Sequence, residues 1–399
     1  MQDSLSKLLE LPEKERQSRG LLHTPGEIQQ QPVTWRGTVE LLTQQREQIL
    51  SFLDESGPAE HLGVLLAGAG TSDYIGRAVA AVLRQQWQCE VAAVASTELL
   101  TNLEDYLLAG KNYLLISLSR SGDSSEGVAL IQQALDRYPN RIRHLIITCN
   151  RNGAMVQQFA GIPAMATIIL DDAVNDRGLA MTSSFSNLVI AGQFLAYIRT
   201  PDKYTPIVEQ LAEMGERLLP AAANLAAKIA GKPTDQVCFL GTGALEAVAD
   251  ESALKVLELN AGRIHTIAQS PLGLRHGPLS SLDAATLVVA FLSGEEPRAQ
   301  YEIDLLTELC EKQLGSRMVV VTPTSDNRLT ALTPNVLSLD APKAFPDSCR
   351  PPVDVIVGQL LGLFFSVQNG LTPDSPSPSG AISRVVSHVK IYSHNGVSA

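Results

Sequence analysis

Twice in this chain an apolar run breaks off at a glycine turn and gives way to an amphipathic stretch. GVLLAGAGTS (residues 63–72) leads into a helical pattern over 75–86, and QVCFLGTG (residues 236–243) leads into another over 247–259. A continuous apolar run reads as a strand buried on both faces, and the glycine break marks its turn into a helix. Further strand-like runs follow each of them. In the first half they lie at 113–119, 144–148 and 164–170; in the second, at 286–292, 317–322 and 335–339. Helical patterns at 126–138, 184–198, 301–314 and 353–368 separate them. Strands alternating with helices build a parallel sheet covered on both sides. The expected fold class is therefore α/β, with two tandem doubly wound parallel sheets flanked by helices. Gly68 and Gly241 open equivalent turns, as a duplication would leave them.

The expected boundaries are a helical extension over 1–45, a first sheet domain over 46–203, a linker helix with a second sheet domain over 204–371, and a tail over 372–399. Within the extension, residues 29–35 read as a Pro/Gln-rich link. The tail opens on TPDSPSPSG (residues 372–380), too rich in proline for a helix, and continues with a β-like stretch over 385–392.

Composition narrows the function. The 399 residues are 45% hydrophobic and 18% charged, enough apolar content for two cores. The net charge of −11, with no lysine- or arginine-rich block, argues against a nucleic-acid partner. Any anionic ligand must be held by local amides and hydroxyls. The five cysteines (Cys89, Cys149, Cys238, Cys310 and Cys349) are scattered without CxxC pairing and read as structural thiols. No metal or cofactor is expected. The N-terminus lacks the pattern of a signal peptide and no apolar run approaches the ~20 residues of a membrane span, so the expectation is a cytoplasmic protein without a membrane partner.

Two turns in the first half carry the chemistry. Gly68-Ala69-Gly70-Thr71-Ser72 closes the first strand, and Ser119-Arg120-Ser121-Gly122-Asp123-Ser124 closes the second apolar run. In a parallel sheet such turns lie at the carboxyl ends of strands, where ligands of open α/β folds bind. Glycines let backbone amides approach an oxyanion, and a helix N-terminus favours negative charge. One serine at a helix start is an ordinary cap; three exceed what capping requires. A purely structural strand–helix joint remains the alternative for the first turn. In the second half, Glu251, Lys255 and Glu258 share one helical face, which a solvated charge stripe would also explain. His276 is followed by Gly277-Pro278, which places it on a loop.

These residues resemble the sugar isomerase (SIS) family, whose domains carry a GxGxS-type turn and an SxSGxT-type phosphate loop. The resemblance extends over roughly residues 50–389. It implies phosphate binding at Ser72, Ser119, Ser121 and Ser124, with Gly70, Thr71 and Arg120 in the same turns. The second half is similar to the isomerase half of glucosamine-6-phosphate synthase. By that similarity Glu258 is the proton-transfer base and His276 assists ring opening, in that family reaching the site from a neighbouring subunit. Lys255 matches a lysine near the sugar. Arg384 stands where the synthase has a tail lysine, and an arginine cannot readily form a Schiff base. Residue 2 is Gln, not the cysteine of a glutamine-hydrolysing domain. The layout, with HTPGEIQQQP (residues 23–32) and PSPSG (residues 376–380), resembles the galactosamine-6-phosphate deaminase/isomerase group, also called tagatose-6-phosphate ketose/aldose isomerases. That implies a homodimeric enzyme converting galactosamine 6-phosphate to tagatose 6-phosphate and ammonia. An isomerase of a neutral hexose phosphate and a non-catalytic sugar-phosphate sensor are the other two readings of the same residues.

Overall fold

The computed structural model describes residues 2–57, 61–315, 317–386 and 389–392. Ten strands form two five-stranded sheets: β1 (Leu62–Gly68), β2 (Glu90–Ala95), β3 (Asn112–Ser119), β4 (Ile142–Thr148) and β5 (Met165–Ile169) in one, and β6 (Gln236–Gly241), β7 (His265–Gln269), β8 (Leu287–Phe291), β9 (Arg317–Thr322) and β10 (Val336–Ser338) in the other. The orders are β2-β1-β3-β4-β5 and β10-β9-β8-β6-β7, the same topology used twice. Every pairing is parallel. The expected doubly wound α/β architecture is what the chain adopts.

The chain packs as two compact units. One holds β1–β5 and comprises 37–175, 187–205 and the tail from Ile382. The other holds β6–β10 and comprises 1–36, 176–186 and 206–381.

The apolar runs predict the six interior strands and the edge strands β5 and β10; the strands they miss are β2 and β7. Every residue of β1 is buried, as are those of β8. β2 (EVAAVA) and β7 (HTIAQ) are partly exposed edge strands whose alanines and polar residues leave no continuous run of large apolar side chains. Several helices begin earlier than their patterns suggest, as in Glu296–Glu311 and Pro351–Gln368, each with proline in its first turn. Residues 29–35 are likewise no link: a helix begins at Gln31 with Pro32 second. A proline there gives up an N–H that has no intrahelical partner anyway. Of the β-like tail, residues 387 and 388 lie outside the described residues, and the described remainder forms no strand beyond a single bridge at Tyr392. The helix Pro351–Gln368 is apolar enough to cross a membrane, but residues 351–366 of it are buried in the protein.

The two glycine turns match in detail. A Cβ on Gly68 would lie 2.4 Å from the backbone of Ser72, and one on Gly241 2.1 Å from that of Leu245. Gly70 (φ 57°, ψ −126°) and Gly243 (φ 64°, ψ −123°) then start the helices Thr71–Trp87 and Ala244–Leu259. The first glycine is required by close approach, the second by a backbone conformation closed to other residues.

Winding order also fixes which face each helix covers. In the second sheet the chain goes from β6 out to the edge strand β7, then back across β6 to β8. Right-handed crossovers place those two connections on opposite faces. The helix Ala244–Leu259 covers one face, packed on Pro351–Gln368. Leu274 and Leu282 of the returning segment pack with Cys238, Leu240, Val288 and Ala290 on the other.

One core residue makes the fold sensitive to acid. His144 in β4 is fully buried, and neither ring nitrogen has a hydrogen-bond partner among the described residues. Burial pushes its pKa down from 6.5 to about 4. The unfolded chain therefore binds the proton first, and stability falls as pH drops from about 6.5 towards 4. Between pH 7 and pH 5 the native protein should lose about 2 kcal/mol through this residue. Denaturant titrations of His144→Leu at both pH values should lack that part of the loss.

Candidate active site

In the β1–β5 unit the two hydroxyl-bearing turns stand at the carboxyl ends of β1 and β3, neighbouring strands from which the chain winds in opposite directions. Open α/β sheets bind ligands at this switch point. Thr71, Ser72, Ser119, Arg120 and Ser121 are all buried there. Ser119 Oγ accepts the Gly122 N–H at 2.9 Å, and Ser121 Oγ accepts the Asp123 N–H at 3.1 Å. Ser124 is the cap of the helix Ser125–Arg137, its Oγ accepting the Gly127 N–H at 3.1 Å. Each hydroxyl thus has a structural task, yet each keeps its own proton to donate. Asp123 and Asn150 brace the turn from below: Asp123 accepts the Ala154 N–H, and Asn150 Nδ2 donates to the Ser121 carbonyl.

The tail joins this turn. Arg120 Nη2 donates to the Arg384 carbonyl at 2.7 Å, and Arg384 Nη2 donates to Asn175 Oδ1 at 2.7 Å. The structure therefore brings Gly70, Thr71, Ser72, Ser119, Arg120, Ser121, Ser124 and Arg384 into one unit, with the Arg120 guanidinium bonded to the tail.

The β6–β10 unit carries the acids. Glu251, Lys255 and Glu258 form a row along the helix Ala244–Leu259. Lys255 Nζ lies 2.6 Å from Glu258 Oε2 and 3.3 Å from Glu251 Oε1. This is no solvated stripe. The Lys255 and Glu251 side chains are 1% and 0% exposed, and only Glu258 reaches outward, at 23%. Burial alone would drive the Lys255 ammonium towards neutrality. The charges of Glu251 and Glu258 and their hydrogen bonds outweigh it, and the net shift is upward. Lys255 thus stays charged and holds the Glu258 carboxylate in a fixed position.

His276 lies on a loop, as the Gly277-Pro278 sequence implies. It is exposed, its N–H bonds the Gly273 carbonyl at 3.0 Å, and Gly277 (φ 128°) follows in a conformation closed to side-chain-bearing residues. It belongs to the segment returning from β7 to β8, on the opposite face of the sheet from the helix that carries Glu258.

Sequence reasoning used residues 23–32 only as a resemblance and missed their chemistry. Glu27 is buried, and its Oε1 accepts the N–H groups of Arg177 at 2.5 Å and Gly178 at 3.2 Å. Burial first, then the neighbouring Asp176 charge, push its pKa up to about 8. Asp374, from the proline-rich tail, accepts the N–H groups of Leu22 and Thr24. The motif is thus a clasp between the N-terminal segment, residues 176–178 and the tail. Among the signals in sequence, only the presence of Glu in an otherwise uncharged stretch hinted at it.

The chain is similar to D-galactosamine-6-phosphate deaminase AgaS from Escherichia coli, with 34% identity over 370 residues, 92% of this chain and 95% of that protein. It is 33% identical over 376 residues to the protein of the same name from Shewanella sp. (strain ANA-3), covering 94% and 92%. Among solved structures, tagatose-6-phosphate ketose/aldose isomerase from Escherichia coli superposes with a TM-score of 0.82 at 33% identity, covering 88% of this chain and 95% of that one. The C-terminal domain of glucosamine-fructose-6-phosphate aminotransferase from Francisella tularensis shares the fold, with a TM-score of 0.71 at 18% identity over 87% of this chain and 96% of that one. No family profile matches the chain.

The buried acid–lysine row makes a direct stability prediction. Lys255→Met strands Glu251 in the interior without its cation and should cost about 3–5 kcal/mol. Adding Glu251→Leu should recover most of that loss, read as denaturation midpoints of the two variants.

Proposed function

Since the chain belongs to the D-galactosamine-6-phosphate deaminase AgaS family, we propose that it is a cytoplasmic homodimeric hydrolase and isomerase. It converts galactosamine 6-phosphate to tagatose 6-phosphate and ammonia in N-acetylgalactosamine and galactosamine catabolism. The observation that carries the mechanism is the row Glu251–Lys255–Glu258, whose outermost member alone meets solvent while the lysine behind it is fully buried.

The serine turns of the β1–β5 unit bind the phosphate. Ser72, Ser119, Ser121 and Ser124 donate hydroxyl protons, and Gly70 and Thr71 contribute the amide-rich helix start. Arg120 and Arg384 supply positive charge. Each charge-assisted bond contributes about 1.5–3 kcal/mol, so several hold a dianion without a lysine. Arg384 acts as a fixed cation, since a guanidinium forms no Schiff base with the sugar.

His276 moves the proton that opens the pyranose, freeing the C1 aldehyde. Glu258 then takes the proton from C2, which the neighbouring carbonyl has made acidic, leaving an enolamine. Returning a proton to C1 gives the 2-imino ketose; water adds at C2 and ammonia leaves. Lys255 positions Glu258 and adds positive charge near the electron-rich intermediate. Because a sheet lies between Glu258 and His276 within a chain, the imidazole that serves a given Glu258 comes from a second copy. A two-fold dimer provides that exchange reciprocally.

Purified protein incubated with galactosamine 6-phosphate should release ammonia and ketose phosphate in equal amounts. Ketose formed only from a neutral hexose phosphate, without ammonia, would overturn the deaminating reading. Glu258→Gln should lower kcat roughly 10²–10⁴-fold with little change in substrate binding. Ser121→Ala should chiefly raise KM, roughly ten- to a hundredfold. An unchanged KM would remove Ser121 from the phosphate site.

A further inference from the structure

The duplication gives the β6–β10 unit its own switch point, at the carboxyl ends of β6 and β8. Registers define the correspondence: Ala67 pairs with Ser117, and Gly241 pairs with Phe291. Aligning Gly68 with Gly241 then sets Ser72 against Leu245, Ser119 against Leu292 and Ser121 against Gly294. Every hydroxyl proposed to hold phosphate in one unit is missing at the matching position of the other. The backbone of the turn is kept, including the Gly70/Gly243 conformation.

What meets those amides is the chain itself. The Gly294 N–H donates to the Asp347 carboxylate (3.0 Å to Oδ1), and Ser293 Oγ donates to Asp347 Oδ2 at 2.5 Å. The Ser293 N–H donates to Glu302 Oε2 at 2.7 Å, and the Thr242 hydroxyl of the first turn also bonds Glu302. Arg350, fully buried, donates to Asp347 Oδ1 at 3.0 Å and to the Leu292 carbonyl at 2.7 Å, and pairs with Asp354 at 2.7 Å. Asp347 is itself nearly inaccessible. An amide, a hydroxyl and a guanidinium converging on one carboxylate is the donor set that an anionic ligand recruits at such a turn. Glu302 Oε1, buried beside it, has no hydrogen-bond partner among the described residues.

We propose that Asp347 is an internal ligand: its carboxylate fills the anion site of the β6–β10 unit, so that only the β1–β5 unit is open to phosphate. Deleting this carboxylate leaves Gly294 N–H, Ser293 Oγ and Arg350 facing an unfilled position and converts the turn into a second anion site. Duplication explains why the site exists, and loss of the hydroxyls explains why it needed a substitute anion. The proposal rests on the phosphate role of the serine turns.

The test uses inorganic phosphate as the probe and calorimetry on the full chain. The native protein should bind one phosphate per chain, and Ser121→Ala should bind none at the same concentrations. The double variant Ser121→Ala/Asp347→Ala should bind one again. Binding by Ser121→Ala equal to that of the native protein would refute the serine turn itself, separately from Asp347. No binding by the double variant would overturn the internal-ligand proposal. If removal of Asp347 unfolds the chain in phosphate-free buffer, the readout becomes melting temperature against phosphate concentration. A rise greater than that of Ser121→Ala supports the proposal, and no rise overturns it.

Discussion

A five-stranded sheet stands between the carboxylate and the imidazole that the proposed reaction needs together. It does so because parallel strands demand right-handed crossovers, and a chain that steps out to an edge and returns must change faces. Glu258 rides on the outgoing connection, and His276 on the returning one. Leu274 and Leu282 anchor the segment that carries His276 in the core of its own face. In the proposed chemistry the imidazole is supplied by a second copy.

The same winding rule gives each unit a switch point, and the two have diverged. One keeps serines at the turn after β3 and draws the tail arginine to it. The other has replaced those hydroxyls with Leu292 and Gly294, and satisfies its amides with Asp347 and Glu302. Both keep the glycine that lets the following helix approach its strand, because packing constrains that position whatever the turn binds. Both units keep the geometry of the turn while their side chains differ: the serine turns proposed to bind phosphate lie in one unit, the acid–lysine row in the other.

Legibility followed burial. The interior strands were readable because both faces are covered, which leaves continuous apolar runs such as residues 62–68. The edge strands β5 and β10 were also readable, whereas β2 and β7 were not, since their alanine and polar residues broke the run. Proline concealed helix starts it in fact occupies. The spacing of Glu251, Lys255 and Glu258 placed them on one face of a helix. It could not say that the face is buried, since that depends on the helix Pro351–Gln368, remote in sequence, packing against it. The Glu27 clasp was illegible for the same reason: its partners lie about 150 residues away. The roles of Glu258 and His276 came from resemblance, with the topology adding the face each occupies.

The most direct test of this account is complementation between two inactive variants. Glu258→Gln and His276→Ala, co-expressed with different tags, form mixed dimers in which one site carries both substitutions and the other neither. Randomly assorted dimers should regain about a quarter of the native activity in ammonia release. Activity no greater than that of either variant alone would contradict the claim that the two residues meet only across copies.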